Sequence, residues 1–145
     1  MTTEDLYQDE LVRLARAATG AGGLDRADGA ATLDNPLCGD RVTFEVRLEG
    51  GRIAAVAHRV RGCLLCEASA SLLGEAAPGA TAAGVDAARA AAAAMLAEGA
   101  PPPEDARWRR LALFQPVREV RSRHRCVILP FEALGEALAR ARRSP

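Results

Sequence analysis

Four cysteines stand at positions 38, 63, 66 and 126, and an aspartate, Asp40, follows the first of them across a single glycine in the stretch NPLCGD. Thiolates and carboxylates are deprotonable donors that a zinc or iron ion accepts in tetrahedral geometry. Cys38, Asp40, Cys63 and Cys126 would supply three sulfurs and one oxygen. Their spacing is not the two tight pairs of a zinc finger, and the single CxxC formed by Cys63 and Cys66 is a weak signal by itself. A reduced cysteine is also an ordinary small apolar residue. Convergence in space is therefore the first requirement of any shared chemistry. The chain contains no lysine, which excludes a lysine Schiff base or lysine nucleophile.

The elements that must bring these residues together are legible in the hydrophobic pattern. Val42, Phe44, Val46 and Leu48 alternate with Arg41, Thr43, Glu45 and Arg47, the period of a half-buried strand. EGGR at 49–52 carries hairpin-turn chemistry, and IAAVAHRVRG returns as a second, antiparallel strand. Cys38 and Asp40 then precede the first strand and Cys63 follows the second. In a hairpin those ends are neighbours, although 25 positions separate Cys38 from Cys63.

Helices are expected on either side of the hairpin. TTEDLYQDELVRLARAAT places Tyr7, Leu11 and Leu14 on one face, and GAGGLDRADG ends that run. The residues between it and NPLCGD have few apolar anchors and read as an irregular approach. CLLCEASASLLGEA favours helix, as does VDAARAAAAAMLAEG, which Gly99 and PPPED stop. A short helical piece is expected at DARWRRLALF, with PVREVRSRHRC extended or loop. CVILPFEALGEALARARR resumes a helix through Phe131, Leu134 and Leu138, and Pro130 requires that helix to begin near it.

Composition narrows the classes of partner. The 145 residues carry 19 basic and 19 acidic side chains, with a pI near 6.7, so no net field favours a polyanion. Seven arginines fall between Arg107 and Arg125, but Trp108 and Phe114 are the only aromatics there, too few to stack bases. We expect no nucleic-acid partner and no membrane partner, since no run approaches the roughly 18 apolar residues of a membrane span. The acidic MTTEDLYQDE lacks the features of a secretory signal, which places the chain in the cytoplasm, where thiols stay reduced.

NPLCGD, RGCLLCEASAS and RSRHRCVILPFEAL, in that order, resemble the U-type iron–sulfur cluster assembly scaffold family (SufU, IscU and the NifU N-terminal domain), and the SufU branch in particular. The resemblance implies an α+β fold, a small antiparallel three-stranded sheet with helices packed on one face and a metal site at one exposed end. It implies a single domain over residues 1–145, with a SufU-type insertion around 80–105. Carried over residue by residue, Cys38, Asp40, Cys63 and Cys126 match the family's ligands. In the SufU branch they hold zinc, and sulfur comes as persulfide from a PLP-dependent, SufS-like cysteine desulfurase for delivery to downstream iron–sulfur assembly proteins. That reading makes the chain a zinc-dependent sulfurtransferase with Cys38 as the sulfur acceptor. The IscU alternative is a non-enzymatic scaffold that builds a [2Fe-2S] cluster, for which Cys126 is the favoured acceptor. Arg123 matches a SufU-like arginine, placed to pair with a thiolate or with Asp40.

Three residues stand apart from the family pattern or from the site. Cys66 lies one helical turn beyond Cys63; it either packs in the core, replaces Asp40 as fourth ligand, or resolves a bridge with Cys63. Arg125 occupies the place before the last cysteine where the IscU branch has a histidine, and His124, one step earlier, reads as solvent-facing or hydrogen-bonded. His58 reads as a sheet-surface residue. Two other functions remain open at this stage: a protein in which zinc only holds the fold together, and a CxxC thiol oxidoreductase.

Overall fold

The computed structural model describes residues 3–37 and 39–143. A first helix, α1 (Thr3–Ala17), leads into a meander of β1 (Gly29–Asn35), β2 (Asp40–Glu49) and β3 (Arg52–Arg61). Helices α2 (Leu64–Ala76) and α3 (Ala82–Glu98) follow, then 3-10 segments over Arg109–Glu119 and Arg121–Arg123, and a final helix, α4 (His124–Arg143). The three strands form one antiparallel sheet in the order β1-β2-β3. This is the α+β architecture expected. Among the described residues no helix is long and apolar enough to cross a membrane.

The period-two pattern of β2 sorts the sheet's faces. Val42, Phe44 and Val46 are fully buried, and the register sets them beside Val60, His58 and Val56 of β3. Helix α4 packs over β1 and β2, and α2 packs over β3, so one face of the sheet carries the core. Gly50 and Gly51, with φ of 59° and 79°, make the two-residue turn between β2 and β3, in which both central residues need positive φ.

The segment expected to be irregular before NPLCGD contains β1. GAATLDN is too polar for its alternation to show, yet Ala31 and Asn35 point inward and every residue of β1 pairs with β2. His58 is likewise corrected. It is 4% exposed, on the core face rather than the solvent face, because its register partner is Phe44, whose ring centroid lies 5.3 Å away. Its Nε2–H donates to the Thr19 carbonyl at 2.8 Å. The chain around it reinforces this placement: His58 N–H donates to the Gly20 carbonyl, and Gly22 N–H donates to the His58 carbonyl, covering the outer edge of β3.

Helix α3 ends as expected, with Gly99 at φ 71° and its N–H returning to the carbonyls of Ala94 and Met95. The stretch after the prolines departs from expectation over its second half. Arg109–Glu119 is one continuous 3-10 segment, with Trp108, Leu111, Phe114 and Val117 buried at every third position. Three residues per turn brings those four side chains onto one face. Pro130 also lies deeper in its helix than expected, since α4 begins at His124. The amide that proline lacks would have bonded the Cys126 carbonyl. At the next carbonyl, that of Val127, the buried Ser69 hydroxyl of α2 donates at 2.6 Å.

Candidate metal and sulfur site

The turn between β1 and β2 is built on Asn35, the register partner of Asp40. Asn35 Oδ1 accepts the Leu37 N–H at 3.1 Å, and its carbonyl accepts the Gly39 N–H at 2.8 Å. Asp40, the first residue of β2, is carried by this turn to the sheet end where β3 runs out through Arg61 and Gly62. Cys38 lies outside the described residues.

Cys63 holds the N-cap position of α2 in an extended conformation, with φ −75° and ψ 169°. Cys126 is the third residue of α4, after the 3-10 turn that contains Arg123. The ligand atoms of Asp40, Cys63 and Cys126 all lie within 4.8 Å of one another. Three elements distant in sequence thus converge on one point.

Groups that can carry negative charge are concentrated at that point. Asp40 is 3% exposed. Its Oδ1 accepts the Cys63 N–H at 3.2 Å, but Oδ2 is buried and has no hydrogen-bond partner among the described residues. A buried polar atom left without a partner is costly. Cys126 is fully buried, and its thiol is pushed far above the ordinary range, first by burial and then by Asp40 and Cys63 facing it. Three groups that each become anionic crowd together here, and a divalent cation among them would reverse the penalty. The donor set of two sulfurs and one oxygen suits zinc or iron.

Gly62 was not singled out from sequence, yet it is part of this geometry. A Cβ at Gly62 would lie 2.7 Å from Asp40 Oδ1, so only glycine lets the carboxylate reach the Cys63 amide. The RGC stretch offered the signal, as a glycine directly before a ligand cysteine.

Arg123 stands beside the sulfurs. Its guanidinium is held above its ordinary range by a hydrogen bond to Cys126 and by the charges of Cys63 and Cys126. The sulfurs, rather than Asp40, are the partners through which it is tied to the site. Cys66 is fully buried in the core, belongs to α2, and is not among the converging ligand atoms. His124 is hydrogen-bonded, Nε2–H to the Arg118 carbonyl at 3.0 Å, and does not join the ligands.

Other arginines of the 107–125 stretch serve the protein's own groups. Arg107 donates to the carbonyls of Ala76 and Pro78 at 2.7 Å each, at the end of α2. Arg110 pairs with Glu75, and Arg125 with Glu132. Around the site, three large apolar side chains are exposed: Leu37 in the β1–β2 turn, Leu64 directly after Cys63, and Val120 shortly before Arg123.

Comparison with known proteins places this arrangement in a family. Two curated relatives from Archaeoglobus fulgidus, the iron–sulfur cluster assembly scaffold proteins IscU 1 and IscU 2, are each 30% identical over 76 residues, covering 52% of this chain. The chain spans about half the length of those relatives, 50% of each. Among solved structures, the N-terminal part of a nitrogen-fixing NifU-like protein from Brucella abortus superposes with a TM-score of 0.90 and 32% identity, covering 98% of both chains. A protein from Fervidobacterium islandicum, described as an iron–sulfur cluster assembly scaffold for the SUF system, shares the fold with a TM-score of 0.81 at 23% identity, covering 94% of this chain and 99% of its own. The profile of the NifU-like N terminal domain matches residues 6–115, and the chain belongs to that family.

Proposed function

We propose that this chain works in iron–sulfur cluster assembly, accepting persulfide sulfur from a PLP-dependent, SufS-like cysteine desulfurase at a zinc–thiolate site and passing it on to downstream assembly proteins. The observation that carries this reading is the convergence of Asp40, Cys63 and Cys126 within 4.8 Å, with the buried Asp40 Oδ2 left without a partner among the described residues. The names of the A. fulgidus and F. islandicum relatives support it.

Asp40, Cys63 and Cys126 would hold the ion, with Cys38 completing the set. Zinc, when bound, keeps the thiols deprotonated at neutral pH. Each protein residue then has a task. Asp40 is a hard oxygen among soft sulfurs and keeps the site exchangeable. Arg123 stabilises negative charge on the sulfurs of Cys126 and Cys63. The acceptor thiolate, which we assign to Cys38 with Cys126 as the alternative, attacks the outer sulfur of the donor's persulfide. A new S–S bond forms, the donor's S–S bond breaks, and the donor leaves as a thiolate. Leu37, 95% exposed, together with Leu64 and Val120, supplies apolar surface on which such a donor docks. Residues 80–105, which contain α3, would be the SufU-type insertion.

A second reading, the scaffold that builds a [2Fe-2S] cluster from the same ligands, draws on the scaffold names of the relatives. One experiment separates them: desulfurase turnover with and without this protein, with metal analysis of the same preparation. Faster alanine release with zinc retained supports the relay. Iron–sulfur absorbance after reconstitution, with no gain in turnover, supports the scaffold. A preparation that shows neither a gain in turnover nor iron–sulfur absorbance would overturn both readings.

A further inference from the structure

The sulfur reading leaves one thiol without a task. Cys66 sits at the third helical position of α2, while Cys63 occupies the N-cap of the same helix. An N-cap residue and the third residue of its helix face each other across the first turn, which is the geometry that a capping box uses. Residues three apart on a helix have their Cβ atoms about 5–6 Å apart, close to the span that a disulfide bridges after a small adjustment. The CxxC arrangement is the one in which thiols at a helix N-terminus exchange with disulfides.

Their exposures differ in a way that assigns an order. Cys63 is half-buried and open to the site, whereas Cys66 has no exposed surface. A partner's persulfide can reach Cys63 and not Cys66. Cys66 can react only with sulfur already carried on its neighbour. Cys66 is not among the converging ligand atoms, so it stands outside the group that would hold an ion.

We propose that Cys66 is the resolving thiol of the site, converting a persulfide on Cys63 into free sulfide. This rests on the sulfur-accepting function proposed above, with the sulfur relayed to Cys63: the Cys63 thiolate attacks the outer sulfur of the acceptor's persulfide, a new S–S bond forms, and the acceptor cysteine leaves as a thiolate. The Cys66 thiolate attacks the inner sulfur of the Cys63 persulfide; the Cys63–Cys66 bond forms, the bond to the outer sulfur breaks, and that sulfur leaves as hydrosulfide. The two electrons that reduce the outer sulfur come from the protein thiols, which end as a disulfide. A dithiol reductant of the thioredoxin class returns both to thiols. Sulfane sulfur is thereby delivered at the oxidation level that an iron–sulfur cluster requires. The bridge also removes Cys63 from the ligand set, so the oxidised pair releases metal.

The test loads full-length protein with sulfur from a cysteine desulfurase and cysteine, removes the donor and small thiols, and follows sulfide release and intact mass. Wild type is expected to release about one sulfide per persulfide loaded and to yield a peptide cross-linked between Cys63 and Cys66. Cys66→Ser and Cys66→Ala are expected to retain the added sulfur on Cys63 and release sulfide at least about tenfold more slowly. Equal release by wild type and a folded Cys66→Ser protein would overturn the resolving role, while leaving sulfur acceptance intact. Wild type that gains no sulfur at any cysteine would overturn sulfur acceptance and, with it, this proposal. Zinc release is expected to accompany the cross-link, and a cross-link formed with zinc fully retained would overturn the ligand exclusion.

Discussion

The Cys63 amide donates to Asp40 Oδ1 at 3.2 Å, while the second oxygen of the same carboxylate is buried with no partner among the described residues. One bond thus ties the start of β2 to the start of α2. Asp40→Ala should fold but hold zinc about tenfold or more less tightly. Competition with a chromogenic chelator measures this. Unchanged metal release would remove Asp40 from the ligand set.

Gly62 tests the same bond from the backbone side. Gly62→Ala places a methyl group against Asp40 Oδ1, so the carboxylate must move away from the Cys63 amide. We expect a loss of about 1–3 kcal/mol in stability, typical of an overpacked site, and weaker metal binding. Urea denaturation and metal titration of the same variant check both. A variant with wild-type metal affinity would show that the close approach is dispensable.

Cys63→Ala and Cys126→Ala should each abolish stimulation of a cognate desulfurase, as should Cys38→Ala. Chelating the metal should have the same effect on turnover while leaving the far-ultraviolet circular dichroism largely unchanged, because the core around Phe44, Phe114 and Phe131 is built mostly of apolar side chains remote from any ligand. Full stimulation by all three variants would end the sulfur-transfer reading, and unfolding on chelation would instead make the metal structural.

His58 gives a pH signature independent of the site. Burial holds its pKa below the ordinary value of 6.5, against a smaller opposing effect from its bond to Thr19. The unfolded chain therefore takes up a proton at a higher pH than the folded chain does, and the stabilising contribution, complete above about 6.5, is lost as pH falls below it. Denaturation midpoints at pH 7.5 and 5.5 should differ more in wild type than in His58→Gln, which keeps an N–H donor for the Thr19 carbonyl. Identical pH dependence in the two proteins would contradict a neutral, buried imidazole.

The 3-10 segment is expected to be a true core element. Phe114 is fully buried, and Phe114→Ala should cost about 3–5 kcal/mol. The single tryptophan, Trp108, contacts Phe131 with ring centroids 6.3 Å apart, so its fluorescence reports the loosening directly. A cost under about 1 kcal/mol would place this segment on the surface instead.

Several parts of the structure are decided by local pattern. The alternation from Arg41 to Leu48, the double glycine at 50–51 and the return through Ile53 specify the β2–β3 hairpin, because a period of two and a turn with positive φ have few other solutions. Gly99 and the prolines end α3 for equally local reasons. The motifs of the NPLCGD, RGCLLC and RSRHRC stretches also pointed to the family that residues 6–115 match.

Tertiary structure decided the rest. β1 is almost too polar to read as a strand, and it forms because β2 offers it a ladder and α4 covers it. The buried series Trp108, Leu111, Phe114 and Val117 has a period of three, which a search at 3.6 and 2.0 passes over, and packing makes it one face. His58 looks like any strand histidine until the register with Phe44 fixes its side of the sheet. Gly62 and the unpartnered oxygen of Asp40 belong to the same class. Residue type can nominate a ligand, but whether its lone pair is left unsatisfied depends on which atoms the whole fold brings within a few ångströms of it.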